Sequence, residues 1–369
     1  MKKRILILHP ALAPYRVDLF NNLAKKFTAI FYFYYPDQAY HSFESGYLQS
    51  KCSFEINYIK SGFTLKKRFF AFGIWKILKK EKPEIVLCCE FNQVTILTLI
   101  YYYLSAKKFR MYTFCDDSME IAKKRKGFRL LLRRFIAKRI DGVIFPSSIV
   151  GDWYNNNVSS KIKAFELPII HDDFNFRNQL NKSIIESNRL IEKFKLNGVK
   201  IILFVGRLAE VKNVSMLLKS CGRIKSKDWK LVVIGEGPLE LELKNEGNML
   251  NVSKNILFLG QRQGIGLYAW FNISQIFVLP SIYEPFGAVV NEALLGGCKV
   301  LCSKVAGAST LINEKNGILF DPTNAKEFEE KLDQLLKSID GNPHTIHSIR
   351  ESTMPFSFQD KIDILIPVL

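Results

Sequence analysis

The chain has 369 residues, 48% of them hydrophobic, and a formal net charge of +18. That is enough apolar material for two domains with their own cores, and no apolar run reaches the ~18 residues a membrane span requires. The charge is lopsided: residues 1–170 hold 29 Lys and Arg against 13 Asp and Glu, a net of +16, whereas residues 171–369 hold 24 against 22. The first half is therefore expected to face an anionic surface or polymer, and the second is not. Met1-Lys-Lys-Arg runs directly into ILIL, which does not read as a secretory leader. Of the seven scattered cysteines, Cys88, Cys89, Cys115, Cys298 and Cys302 fall in apolar strands, and no CxxC pair has metal spacing. Reduced, buried thiols in the cytoplasm are the expectation, with no metal centre.

Strand and helix alternate through the first half. Arg4–His9 predicts a buried strand, 16–26 an amphipathic helix with Val17, Leu19, Phe20 and Leu23 inward, and 28–34 a second strand. A polar, aromatic loop over 36–53 precedes a strand at 54–59 and a helix at 69–80 carrying Trp75. Further strands are predicted at 84–89, 109–114 and Gly142–Phe145, and the tyrosine-rich stretch 94–104 reads as a buried helix. Pro168 and a polar run reaching residue 181 interrupt the alternation, giving domains 1–170 and 171–369. Strands then recur at 199–205, 231–234, 256–259, 275–279 and 299–302, with helices at 214–225, 239–245, 288–295 and 325–336. This pattern specifies an α/β chain of two Rossmann-like, doubly wound parallel-sheet domains. Ligands are expected in a cleft at the carboxyl ends of both sheets.

The most informative stretch is 280–300, PSIYEPFGAVVNEALLGGCKV. A strand runs out at Pro280, a turn over Glu284-Pro-Phe-Gly follows, and a helix leads to Gly296-Gly297; such a helix start presents backbone N–H groups to an anion. Glu284 and Glu292 are eight residues apart, so they share one face, although each also reads as a cap or a surface charge. Gly206-Arg207-Leu208 ends the strand at 199–205, and Lys212-Asn213 opens the next helix. A guanidinium and an ammonium so placed make a cationic clamp for a diphosphate. Gly235-Glu236-Gly237-Pro238 gives a tight turn after the next strand, and Phe258-Leu259-Gly260 follows the one after that.

E-P-F-G followed by a second Glu, E-x7-E in all, resembles the signature of retaining glycosyltransferase family 4, whose members have the GT-B fold. The G-R-L with Lys212, G-E-G-P, F-L-G, Val305-Ala306-Gly307, Asn316-Gly317 and Phe320-Asp321-Pro322 extend the resemblance over most of residues 199–325. Val211 stands where the family usually has Glu, and Lys299 where it usually has Pro. The resemblance implies that Arg207 and Lys212 hold the donor's diphosphate, Glu292 its ribose, and Glu284 hydroxyls of the transferred sugar. It also implies that the N–H groups of Phe286, Gly287 and Ala288 lie against sugar and phosphate, with Gly206, Gly235, Gly237 and Gly260 completing the donor site. The reaction implied is transfer of a sugar from a nucleotide-diphosphate sugar to an acceptor hydroxyl, with retention and without a metal or other cofactor. A glycosidase also pairs carboxylates, but it leaves the Arg/Lys clamp without a role.

In the first half, Pro14-Tyr-Arg leading into Leu19-Phe-Asn-x-Leu-Ala is similar to a subset of polysaccharide-assembly enzymes, although the family's glycine-rich loop is absent. Arg16 reads equally as a cation reaching for a phosphate and as a surface arginine. Cys115-Asp116-Asp117 stands where the family often has His-Asp, so Asp116 or Asp117 reads either as an acceptor contact or as an exposed turn. Residues 123–139 hold nine basic residues and no acid. Phe128, Leu131, Leu132 and Phe135 there form an apolar stripe that packs at least partly on the core, beside a cationic face carrying Arg129, Arg133 and Arg134. Lys66-Lys67-Arg68-Phe69-Phe70 adds a second basic, aromatic cluster.

The partners expected are the nucleotide-sugar donor, a polyprenyl-diphosphate-linked or polysaccharide acceptor, and an anionic membrane surface met through Lys123 to Arg139. That places the chain at the inner leaflet of the cytoplasmic membrane. One rival reading is a nucleotide-sugar epimerase of the same fold, whose soluble substrate needs no wide basic surface. Another is a nucleic-acid-binding protein, but the aromatics sit in strands and core helices and no RNA or DNA module is recognisable, so nucleic acid is not an expected partner.

Overall fold

The computed structural model describes residues 2–34, 45–65, 68–106, 108–224 and 228–369. They form two compact units, one of Met1–Ile169 with Gln359–Leu369 and the other of Ile170–Phe358. The sequence carried the second domain to residue 369. Residues 359–369 belong instead to the first unit, where Arg110 and Tyr112 donate to the Val368 carbonyl at 3.1 and 2.8 Å and Lys361 pairs with Glu166 at 2.9 Å.

The first unit contains β1 (Arg4–His9), β2 (Thr28–Phe33), β3 (Ile56–Tyr58), β4 (Gly62–Leu65), β5 (Arg68–Ala71), β6 (Ile85–Cys89), β7 (Arg110–Phe114), β8 (Gly142–Phe145) and β9 (Ala164–Glu166). Seven of them form a parallel sheet in the order β3-β2-β1-β6-β7-β8-β9. The second unit contains β10 (Lys200–Val205), β11 (Trp229–Ile234), β12 (Ile256–Phe258), β13 (Ile276–Leu279), β14 (Lys299–Ser303) and β15 (Gly317–Phe320), in the order β12-β11-β10-β13-β14-β15. The central strands are buried on both faces, which is why they read as unbroken Val, Ile, Leu and Phe runs. In each sheet the chain reverses its direction of travel, between β1 and β6 and between β10 and β13. At such a switch point the two flanking loops diverge and leave a crevice beyond the strands' carboxyl ends.

Alternation along the strands sorts the first unit's core. Leu6, Leu8, Val86, Cys88, Val143 and Phe145 point into one cluster with the inner sides of the helices Ile74–Glu81, Gln93–Leu104, Gly127–Ala137 and Ser148–Asn157. The helix Pro14–Lys26 lies on the opposite face, with Phe20 against the Phe31 and Phe33 rings at 5.3 and 6.1 Å. All seven cysteines are free thiols.

Four expectations change. The predicted helix 69–80 begins only at Ile74; before it β4 and β5 pair as an antiparallel hairpin, with Phe63 opposite Phe70. The cross-strand Phe63 and Phe70 rings, 5.2 Å apart, favour that pairing, and Lys66 and Lys67 of the proposed basic cluster lie outside the described residues, as do residues 36–44 of the loop over 36–53. The polar run that marked the boundary is itself helical, Asp173–Lys182, started by the Asp172 carboxylate accepting from the Asn175 N–H at 2.9 Å. The helix 94–104 is buried only over its first half and leaves Ile100, Tyr103 and Leu104 exposed. The basic segment 123–139 is two helices, Met119–Lys123 and Gly127–Ala137, broken where Gly127 takes φ +58°. Its apolar stripe is turned around: Leu130, Leu132, Ile136 and Ala137 pack on the core, whereas Phe128, Leu131 and Phe135 are 78%, 61% and 50% exposed.

Candidate functional site

The second unit's switch point gathers the motifs. Three loops leave adjacent strands and are laced by backbone hydrogen bonds. Gly206 N–H donates to Ile234, Gly235 N–H to Gly260, and Leu208 N–H to Glu236, each at 2.9 Å. The approach is so close that a Cβ on Gly235, whose φ is +134°, would overlap the Gly206 carbonyl, so only glycine fits there. Arg207 projects from this lacing into solvent, and among the described residues nothing engages its guanidinium.

Lys212 ends the 3-10 turn Glu210–Lys212, immediately before the helix Val214–Cys221. The neighbouring Val211 carbonyl accepts from the Ile282 N–H at 2.9 Å, which ties this turn to the loop after β13. The backbone, not the side chain, of Val211 makes that tie. It brings the Lys212 ammonium onto the Glu284 carboxylate, which also accepts from Ser281 Oγ at 3.3 Å. The two motif charges, separated by 72 residues, are thus one ion pair with side chains 22% and 10% exposed.

The loop Glu284 to Ala288 is held from behind. Ala308 N–H donates to the Phe286 carbonyl at 2.7 Å, and Phe286 itself is 3% exposed. Gly287, at φ +93°, would place a Cβ 2.7 Å from Leu279. Among the described residues the N–H groups of Phe286, Gly287 and Ala288 have no hydrogen-bond partner. Three successive unpaired donors in a half-buried loop are costly unless something accepts from them.

Glu292 lies in the helix Val289–Leu295, and its Oε1 is 3.2 Å from His171 Nε2. The His171 N–H donates to Asn291 at 2.9 Å, which fixes the imidazole beside the carboxylate. Sequence reasoning missed His171, because a single histidine in a boundary segment carries no motif; Ser281, inside the stretch 280–300, reads there only as a residue that ends the strand. Gly206, Arg207, Lys212, Gly235, Gly237, Gly260, Glu284, Phe286, Gly287, Ala288 and Glu292 all lie on the loops or helix starts at the carboxyl ends of β10 to β13.

The first unit's switch point holds a different constellation. Arg16 is not a surface arginine: it is 2% exposed, stacks on the Phe114 ring at 4.5 Å, and donates to both Asp116 oxygens at 2.6 and 2.8 Å. Asp117 is 2% exposed and accepts from Arg125 at 2.6 Å and Tyr154 at 2.7 Å, with Arg133 at 3.4 Å. Burial opposes its charge, but the Arg125 hydrogen bond and the Arg133 charge hold its carboxyl below the usual range. The exposed turn expected for the two aspartates is therefore absent, and both carboxylates are already neutralised. Arg133, expected to face lipid headgroups, is buried in this cluster and stacks on Phe91 at 5.1 Å.

Glu90, which the sequence reading passed over, sits between the two aspartates. Its φ is +66°, Asp116 N–H donates to its Oε1 at 2.9 Å, and Arg133 is 3.6 Å from its Oε2. Burial and the charges of Asp117 and Asp116 push its carboxyl up to about 7. His9, 5% exposed, is pushed down to about 4 by burial and by Arg16.

Comparison with known proteins matches residues 187–346 to the family model described as glycosyl transferases group 1. The chain is 28% identical to the capsular polysaccharide biosynthesis glycosyltransferase CapM of Staphylococcus aureus over 70% of this chain and 69% of that protein. It is 33% identical, over 58% of this chain and 56% of the relative, to an N-acetylgalactosamine-N,N'-diacetylbacillosaminyl-diphospho-undecaprenol 4-alpha-N-acetylgalactosaminyltransferase of Campylobacter jejuni. Across the curated relatives matched first, the chain spans 36% to 69% of the relative's length. Among solved structures, Anabaena Alr3699/HepE in complex with UDP superposes with a TM-score of 0.73 at 16% identity, covering 91% of this chain and 90% of that one, which speaks to fold alone. Residues 187–346 therefore form a glycosyl transferases group 1 domain, in a chain with the two-unit GT-B architecture.

Proposed function

We propose that the chain transfers a sugar from a nucleoside-diphosphate sugar to an acceptor hydroxyl, with retention of anomeric configuration and without a metal. The observation that carries this reading is the set of unpaired N–H groups at Phe286, Gly287 and Ala288 beside Lys212, with the unengaged guanidinium of Arg207 on a loop of the same sheet edge. Such donors favour a group that gains negative charge as a bond breaks. In the step proposed, the sugar C1–oxygen bond to the diphosphate breaks and the diphosphate keeps the electron pair. The acceptor oxygen bonds to C1 on the same face, and its proton passes to the departing phosphate. Arg207 and Lys212 stabilise that phosphate, Glu284 binds sugar hydroxyls, and Glu292, steadied by His171, binds the ribose.

The relatives' names support a polysaccharide or polyprenyl-diphosphate-linked acceptor, and the UDP complex of the structural neighbour supports a uridine donor as the first to try. Among the described residues no helix is long and apolar enough to cross a membrane. The reading places the chain peripherally at the inner leaflet, with the basic stretch from residue 123 to 139 meeting anionic lipid. Purified protein screened for thermal shift against a panel of nucleotide sugars, followed by assay of nucleoside-diphosphate release, tests it. A protein that is stabilised by no nucleoside diphosphate and releases none from any sugar nucleotide refutes it.

A further inference from the structure

Exposed apolar residues of the first unit concentrate on three helices, with Phe63, Phe72, Ile149 and Ile364 exposed outside them. Trp75, Tyr103, Leu104, Phe128, Leu131 and Phe135 are between 41% and 78% exposed. They belong to the helices Ile74–Glu81, Gln93–Leu104 and Gly127–Ala137, all of which bury their inner sides in the same cluster on one face of the sheet. The helix Pro14–Lys26, on the opposite face, has no large apolar residue exposed. Sheet alternation and helix placement thus put the exposed apolar residues of these three helices on one side.

That side is also cationic. Lys124, Lys126, Arg129 and Lys138 flank Phe128, Leu131 and Phe135, are exposed, and have no carboxylate partner among the described residues. Lys76 and Lys79 flank Trp75 in the same way. The anchoring of the Gly127–Ala137 helix explains its orientation. Arg133 donates to the Tyr154 hydroxyl at 2.8 Å and reaches Asp117 and Glu90, so the helix's one buried cation points inward. With Arg133 fixed there, positions 128, 131 and 135 have to face out. A surface patch of aromatic and aliphatic groups ringed by unpaired cations matches a layer that is apolar within and anionic at its rim.

We infer that this helical face of the first unit docks on an anionic lipid bilayer, with Phe128, Leu131 and Phe135 entering the headgroup–acyl boundary and Lys124, Lys126, Arg129 and Lys138 meeting the phosphates. The inference deepens the membrane part of the proposed function. It replaces a purely electrostatic contact through residues 123–139 by a face in which insertion and charge act together and from which Arg133 is excluded. It stands independently of which reaction the second unit performs.

The test is cosedimentation of the full chain with vesicles of phosphatidylcholine alone or mixed with phosphatidylglycerol, at about 0.1 and 0.5 M NaCl. Wild type is expected to bind the anionic vesicles and to be weakened, but not fully released, by salt. Phe128→Ser/Leu131→Ser/Phe135→Ser is expected to bind at least about tenfold more weakly, with the residue of binding lost at high salt. Lys124→Glu/Lys126→Glu/Arg129→Glu/Lys138→Glu is expected to lose the preference for phosphatidylglycerol. Because all seven side chains are exposed, both variants keep the wild-type unfolding midpoint. Wild type that ignores phosphatidylglycerol vesicles, or an apolar triple variant that binds them as wild type does, overturns the inference. So does a wild-type dimer that the triple variant dissociates while vesicle binding persists, which assigns the face to a second copy of the chain. Vesicle binding without any sugar-nucleotide turnover leaves the inference standing and removes the proposed reaction instead.

Discussion

The ion pair between Lys212 and Glu284 has a consequence for nucleotide binding that the motif spacing conceals. If Lys212 holds the diphosphate, the phosphate must approach an ammonium that already carries a carboxylate. Two oxygens that share one ammonium at about 2.8 Å each lie about 5 Å apart. At an effective dielectric of about 20 their repulsion is about 3 kcal/mol per pair of unit charges. Lys212 is 22% exposed, and screening by salt cuts the effect to about 1–2 kcal/mol. Glu284→Gln removes the carboxylate charge, yet its amide oxygen still accepts from the ammonium, so Lys212 stays in place. Free UDP is therefore expected to bind this variant about five- to thirtyfold more tightly, while sugar transfer falls because a hydroxyl partner of the sugar is weakened. Calorimetric titration of UDP at about 0.15 M NaCl, beside turnover of the sugar nucleotide, measures both. Unchanged or weaker UDP affinity in the variant would refute the placement of the phosphate at Lys212.

Arg207→Ala is expected to lower kcat/KM by about 10²-fold or more without moving the unfolding midpoint, since its guanidinium is exposed and unengaged; activity within about threefold of wild type sinks that role. Glu292→Gln is expected to weaken free UDP by about tenfold or more through loss of a charged hydrogen-bond partner, and equal UDP affinity in titration rules out a ribose contact. Arg133→Met removes the cation beside Glu90 and one of three partners of Asp117; Arg125 and Tyr154 still serve Asp117, so the loss falls near the low end for a broken buried pair, about 3 kcal/mol in urea unfolding, and a loss below about 1 kcal/mol contradicts the anchoring of the helix by Arg133. His9 is held to about 4 against its ordinary 6.5 and Glu90 to about 7 against 4.5. Stability from the neutral imidazole is therefore present above pH 6.5 and lost as pH falls through about 4, whereas that from protonated Glu90 is present below pH 4.5 and lost as pH rises through about 7. Urea midpoints across pH 4–8.5 should show His9→Asn flattening the acid limb and Glu90→Gln the alkaline one, and unchanged limbs would remove both groups from the account.

The loops after β10 to β13 were legible in the sequence because their backbone requirements are local. A glycine that must approach another backbone, as Gly235 approaches Gly206, and an N–H loop such as Phe286 to Ala288 each need fixed residue types at fixed short offsets. What was not legible depends on contacts far along the chain. Lys212 and Glu284 meet only because a backbone bond from Ile282 to Val211 crosses between two loops, and nothing in either motif encodes that pairing. The Gly127–Ala137 helix is the sharper case. Its periodicity offers two apolar stripes, one through Phe128, Leu131 and Phe135 and one through Leu132, Ile136 and Ala137, and hydrophobicity alone favours burying the larger. The choice is made by Arg133, which lies on the smaller stripe and finds Asp117, Glu90 and Tyr154 beneath it. A buried guanidinium cannot be left unpaired, so its partners, donated by β6, β7 and the helix Ser148–Asn157 or the loops after them, outweigh the burial of two phenylalanines and a leucine. The polar cluster of the first unit thus determines which surface the helix shows to its surroundings, and the cost of exposing that surface to water is what binding to a bilayer would relieve.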